Sequence, residues 1–190
     1  MFTPRFPMTF VAAIAVATLA REPARAQSTR QPRAVPVRST TSGLGFGFAG
    51  GLSIPAGDLG GSSDAGFALQ LRGEAPLSTA RWSVRGDLGY DRFGGRGAVD
   101  TYSYTSLTAN LVHRNAGDRL YQFGGLGVFN ARTAFVAGVD RSSTDLGMQA
   151  GIGYDLRSAA PRWFLETGLA SAFTSGRSSL WFPVRAGFWF

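Results

Sequence analysis

Few residues of this chain are equipped for chemistry, and most of those are charged. It has one histidine, His113, and no cysteine, which excludes disulfides, thiolate metal sites and cysteine catalysis. His113 is followed by Arg114-Asn115, with no serine placed to use it. A serine without a base is a weak nucleophile, so a solvated or hydrogen-bonded histidine is expected. The acids Asp58, Asp64 and Asp100 lie scattered between apolar runs, without the spacing of a calcium loop. Gly43-x-Gly45-x-Gly47 and Gly124-Gly125-x-Gly127 superficially suggest phosphate loops, but no helical segment follows either. Close strand packing accounts for them better. No metal or cofactor is called for. What remains is a constellation of charges at alternate positions: Arg72, Glu74, Arg85, Asp87, Asp91, Asp155, Arg157, Glu166 and Arg185.

Those alternate positions imply strands. From Leu44 the chain breaks into eight runs at approximately 44–54, 65–75, 81–92, 101–113, 119–130, 144–157, 162–173 and 180–190, each with period-two patterning. In the last, Phe182, Val184, Ala186, Phe188 and Phe190 share one face, and Trp181, Pro183, Arg185, Gly187 and Trp189 the other. The sixth sets Leu146, Met148 and Ile152 against Gln149 and Asp155. The third sets Trp82, Val84 and Leu88 against Arg85 and Asp87. The fifth is ambiguous because its glycines blur the parity. Connections after strands two, four and six are tight, and those after one, three and five are longer. The segment from Arg132 to Asp140 is unusually apolar, either a hairpin extension of strands five and six or a contact patch. If strands two and three form a hairpin about Ser78, Arg72 falls beside Asp87 and Glu74 beside Arg85. Glu166 can then reach Arg185 or approach Asp155.

Runs of this length suit strands that cross a bilayer, and an even number of antiparallel strands can close into a barrel. A soluble barrel also alternates, with its apolar faces inside. Two features favour the membrane form. Aromatic residues cluster near both strand ends: Trp82, Tyr121, Tyr154, Trp163 and Phe188 toward one edge, Tyr90, Phe129, Phe173 and Phe182 toward the other. The opposite faces are rich in small residues, such as Gly45, Gly47, Ala49 and Gly51, which suit a narrow interior.

Ahead of the strands, residues 1–26 read as a secretory signal. Arg5 supplies the positive end, Phe10 to Ala20 an apolar stretch of 11 residues, and Ala24-Arg25-Ala26 the cleavage site. Eleven residues are too short for a membrane helix, which needs about 20. Residues 27–43, polar and proline-containing, read as a disordered tether. The net charge of +7 is concentrated here: six of the 19 arginines precede Gly43, and the rest of the chain has 13 arginines against 11 acids. That distribution argues against nucleic acid as a partner.

The region 44–190 resembles the eight-stranded outer-membrane β-barrel proteins, the group that includes the transmembrane domain of outer membrane protein A. The resemblance rests on the leader, the strand count, the alternating loop lengths and the terminal pattern Phe182-x-Val184-x-Ala186-Gly187-Phe188-x-Phe190. It implies an all-β, antiparallel, up-and-down transmembrane barrel, monomeric, in the outer membrane of a Gram-negative-type envelope. It implies that the terminal pattern is the signal read by the barrel-assembly machinery, with Pro183 a departure from the usual pattern. The short-turn rim would be periplasmic. Arg92, Arg96, Arg132, Arg141 and Arg177 would lie toward the outer rim, as lipopolysaccharide contacts or as ordinary solvated charge. Lipid A-modifying enzymes of this fold use histidine and serine near the outer rim, whereas His113 falls at the periplasmic end of strand four. The expected role is therefore non-enzymatic: structural, membrane-integrity or surface interaction. A narrow porin-like conduit for small solutes is the alternative, and a lipid A-modifying enzyme a weaker one.

Overall fold

The computed structural model describes residues 43–78, 81–115, 119–138, 140–156, 161–174 and 177–190. The proposed leader, with Ala24 and Ala26, lies outside these residues, as do Arg157 and all of the proposed tether but its last residue. Eight strands form a closed barrel in sequence order: β1 (Gly45–Ala56), β2 (Gly66–Pro76), β3 (Trp82–Gly94), β4 (Val99–Arg114), β5 (Leu120–Phe135), β6 (Asp140–Asp155), β7 (Arg162–Thr174) and β8 (Arg177–Trp189). Every neighbouring pair is antiparallel, and β1 closes on β8 through registers such as Phe48↔Phe188 and Leu52↔Val184. Closure leaves no open sheet edge.

The side-chain period of two sorts the residues cleanly. Leu52, Leu69, Leu88, Leu107, Leu126, Leu146, Ile152 and Val184 stand exposed on the outer wall, and Leu126 and Leu146 keep 68% and 70% of their surface. Arg72, Arg85, Asp87, Asp91, Asn110, Glu166 and Arg185 are buried inside. The soluble alternative, apolar inside and polar outside, is thereby overturned. An apolar belt around the whole wall far exceeds what a soluble monomer exposes, and it matches hydrocarbon.

The outer wall also carries most of the predicted girdle. Trp82, Tyr154 and Trp163 are exposed near the rim of short turns, where Trp163 packs on Phe188 at 5.4 Å. Phe173 and Phe182 are exposed toward the opposite rim. Tyr121 and Phe129, expected in the girdle, are instead lumenal, each 1% exposed. The reason lies on the next strand. A Cβ added at Gly153 would overlap the Tyr121 ring, one at Gly151 the Phe123 ring, and one at Gly147 the Phe129 ring. The inward glycines of β6 form a trough, and the inward aromatics of β5 fill it.

Two strand boundaries differ from expectation in an instructive way. Strand five runs past its expected end at residue 130, and of the two readings for the apolar segment from Arg132 to Asp140 the hairpin extension holds, with pairs Arg132↔Ser142 and Ala134↔Asp140. It ends in a turn in which the Gly138 N–H donates to the Phe135 carbonyl at 2.9 Å. Gly138 has φ +79°, a conformation that favours glycine. The segment after β1 contains a helical turn, α1 (Gly57–Ser62), where an irregular loop was expected. Leu59 on α1 is buried against Phe93, Tyr104, Phe129 and Trp181.

Two irregularities interrupt the described ladders: a register shift between Val99 and Thr101 at the end of β4–β5, and a gap in β7–β8. β7 and β8 pair at Thr167↔Val184 and next at Ala170↔Trp181, with no ladder pair between. Pro183 sits in that gap and has no N–H to donate. On its other side β8 keeps the pair Ser53↔Pro183 with β1.

Candidate functional site

The chemistry of the molecule is concentrated in the lumen, where strand alternation points long polar side chains from every direction at one axis. Glu166 on β7 is the hub. Its Oε2 accepts from Arg72 Nη1 at 2.8 Å, Arg85 Nη1 at 3.0 Å and the Tyr121 hydroxyl at 3.0 Å. Arg72 Nη2 donates also to Gln70, and Arg85 Nε to Asp87 Oδ2 at 3.1 Å. The same Asp87 oxygen accepts from Asn110 Nδ2 at 2.9 Å and Gln149 Nε2 at 3.1 Å. The guanidinium planes find apolar partners too: Arg72 lies 4.3 Å from the Phe164 ring centroid, Arg85 4.3 Å from Phe123 and Arg114 4.8 Å from Tyr121. Charges this deeply buried persist only when such bonds offset their desolvation.

Two smaller clusters flank the hub. Toward the short-turn rim, Glu74 accepts from both terminal nitrogens of Arg114 and from the Ser83 hydroxyl. Arg114 Nε also stands 3.9 Å from Asp155 Oδ2. Toward the other rim, Asp91 accepts from Ser53 and from Arg185 Nη2, the latter at 3.4 Å. Above it lies an aromatic layer: Trp181 is fully buried, stacks on Tyr104 at 4.8 Å and meets Phe93 and Phe129 edge-on.

The adjacent-strand registers hold, but the bonds do not follow them. Arg72 lies opposite Asp87, at 3.9 Å from Nε to Oδ1, yet its shorter contact is to Glu166 across the lumen. Glu74 lies opposite Arg85 but bonds Arg114; Glu166 lies opposite Arg185, which turns to Asp91. The barrel is narrow enough for a side chain to choose a partner beyond its neighbour. Arg114, read from sequence as part of a turn, is the chief omission. Counting in twos from Thr108 and Asn110 would have placed it inside.

With that interior in view, comparison with known proteins is informative about fold. No protein-family model and no curated protein sequence matches this chain. Solved structures do match. Neisserial surface protein A superposes with a TM-score of 0.53 at 15% identity, covering 77% of this chain and 95% of that one. The outer membrane protein Ail of Yersinia pestis, in a phospholipid bilayer nanodisc, gives 0.50 at 17% identity, with 77% and 99% covered. The N-terminal β-barrel domain of Pseudomonas aeruginosa OprF gives 0.50 at 13% identity, with 77% and 97% covered. The fold is that of the eight-stranded outer-membrane barrels.

On an outer-membrane barrel fold the remaining candidates take definite places. His113 points outward near the short-turn rim, its ring 4.4 Å from Trp82 and its Nδ1 3.3 Å from Gln122. Arg92 is exposed on the outer side of β3. Arg96 and Arg132 form exposed ion pairs with Asp64 and Asp140. The pairing with Asp64 raises the Arg96 guanidinium above its ordinary value. Arg141 takes a different direction from the others. It follows the inward parity of β6 and lines the mouth opposite the short connections together with Tyr102 and Tyr104. Arg177 opens β8, and its side chain lies outside the description. In the terminal pattern, Phe182, Val184 and Phe190 are exposed, while Gly187 is buried against Phe164 and β1.

Proposed function

We propose that this chain is an exported, non-enzymatic barrel of the bacterial outer membrane with a closed lumen, serving a structural, membrane-integrity or surface-interaction role. The observation that carries the reading is the packed interior. Glu166, Arg72, Arg85, Asp87, Asn110 and Gln149 bridge the lumen in one bonded layer, and the Trp181 cluster lies above it. This weighs against a narrow conduit, since the interior of an eight-stranded barrel is just wide enough for its side chains to fill. The setting of His113, between Trp82 and Gln122 on the outer wall, weighs against a lipid A-modifying enzyme.

In this reading cleavage follows Ala26, residues 27–43 form a periplasmic tether, and 44–190 insert as a monomeric barrel. The assembly machinery reads Phe182, Val184, Gly187, Phe188 and Phe190. Outside, Arg92, Arg96 and Arg132 meet lipopolysaccharide phosphates, for which guanidinium is a well-matched donor. Planar-bilayer recording of the purified barrel tests the central claim. No discrete conductance events are expected at any voltage; reproducible unitary steps would replace this reading with the conduit.

A further inference from the structure

The outer mouth contains a built cup. It lies above the Trp181 layer and encloses ≈ 360 Å3 between α1, the upper ends of β4, β5 and β6, and the start of β8. Eight of its twelve lining residues carry a hydroxyl. Tyr104 forms part of the lining, its ring backed by Trp181 and its hydroxyl donating to Ser179 Oγ at 2.7 Å. Tyr102 stands two residues away on the same face of β4. Two charges complete the lining, Asp58 from α1 and Arg141 from β6. Among the described residues neither has an ion-pair partner, and Arg141 rests 5.8 Å from the Phe135 ring.

We infer that this cup binds a neutral saccharide unit. Hydroxyl side chains both donate and accept, which matches a ligand whose own groups do both. Ser62, Tyr104 and Ser143 already donate within the protein, but an acyl chain would offer no partner to the remaining hydrogen-bonding capacity of the lining, at a cost for each group it desolvates. A polyanion would meet Asp58 as well as Arg141, whereas one carboxylate and one guanidinium cancel and can both bond sugar hydroxyls. The half-buried Tyr102 ring offers apolar surface to the C–H face of a pyranose, over a floor formed by the buried Tyr104. The volume lies near the lower end of the range for small-ligand pockets, about 300–1,000 Å3, fitting one or two rings and not a folded partner. The inference deepens the surface-interaction reading above and rests on it for the exposure of this mouth outside the cell.

The test uses the full mature chain in nanodiscs free of glycosidic detergent, labelled and applied to an array of neutral hexose and N-acetylhexosamine oligosaccharides beside uronic and sulfated ones. Binding to one or more neutral oligosaccharides is expected, followed by calorimetry with the strongest. Asp58→Asn and Tyr102→Ala should each weaken it about tenfold or more, as loss of a charged hydrogen bond or a stacking face does. Arg119→Gln at the opposite rim should leave it unchanged. Heat-modifiable migration of every variant reports that the barrel is folded. Absence of binding, binding only to sulfated or uronic chains, or affinity unchanged in both cup variants overturns the proposal. Because the assay uses purified barrel, its failure leaves the outer-membrane reading standing, and cell fractionation tests that separately.

Discussion

Glu166 illustrates what a single buried carboxylate does in a narrow lumen. It holds two guanidinium groups and a phenol from three other strands, so its loss leaves two arginines partly unpaired. Removing one partner of a buried pair costs about 3–5 kcal/mol. Glu166→Ala should accordingly lower the urea midpoint of the barrel refolded into lipid vesicles, and an unchanged midpoint would remove the hub from this account. The glycines make a complementary case. Gly153→Ala drives a methyl into the Tyr121 ring and should destabilise by about 1–3 kcal/mol, the range for overpacking. Gly86→Ala, with nothing near its added carbon, should stay within about 0.5 kcal/mol of the parent. The same denaturation series measures both. At this scale the sequence was legible in part. The parity of Arg72, Asp87 and Glu166 showed that they share an interior. Which partner each chooses was not legible, because strand register describes neighbours along the wall and says nothing about distance across it.

At the scale of elements, β8 carries both closure and the proposed assembly signal. The Phe190 N–H donates to the Phe46 carbonyl at 3.0 Å, and the Phe190 ring packs toward Phe188 at 6.1 Å. Deleting Phe190 removes a seam bond and a side chain together, whereas Phe190→Ala keeps the bond. Both are expected to reduce the heat-modifiable form in outer-membrane fractions. Equal reduction in both assigns the effect to the aromatic ring; wild-type levels in both would disprove the signal role. Strand patterning was most readable in β8, β6 and β3, where large apolar side chains alternate with charge. It failed in β5, because Tyr121, Phe123 and Phe129 are lumenal and reverse the usual sense of apolar-outward. Helix α1 had no readable signal. Three of its six residues are glycine, a poor helix composition, and it is held by the burial of Leu59 in the mouth.

For the whole molecule, the two rims differ in construction. At one, only a few residues of chain separate β2 from β3, β4 from β5 and β6 from β7; at the other, β4, β5 and β6, each 16 residues long, reach past the other strands. The expected contrast in loop length is better described as a contrast in strand length. It allows a direct test of orientation in a chain without native cysteine. In intact cells a membrane-impermeant maleimide should label Val136→Cys at the hairpin tip and spare Ser78→Cys in a short turn. The reverse pattern would invert the proposed topology.

The interruption beside Pro183 gives this wall an uneven stiffness. Along six of its eight seams the ladder of the described residues is continuous; β4–β5 shifts register between Val99 and Thr101 at its very end, and β7–β8 passes through a crease two pairs wide. Changes in lateral pressure or bilayer thickness therefore do not deform the cylinder evenly. The crease is where bending is expected first, with the unbroken β1–β8 seam and the cross-lumen bonds to Glu166 holding the strands on either side.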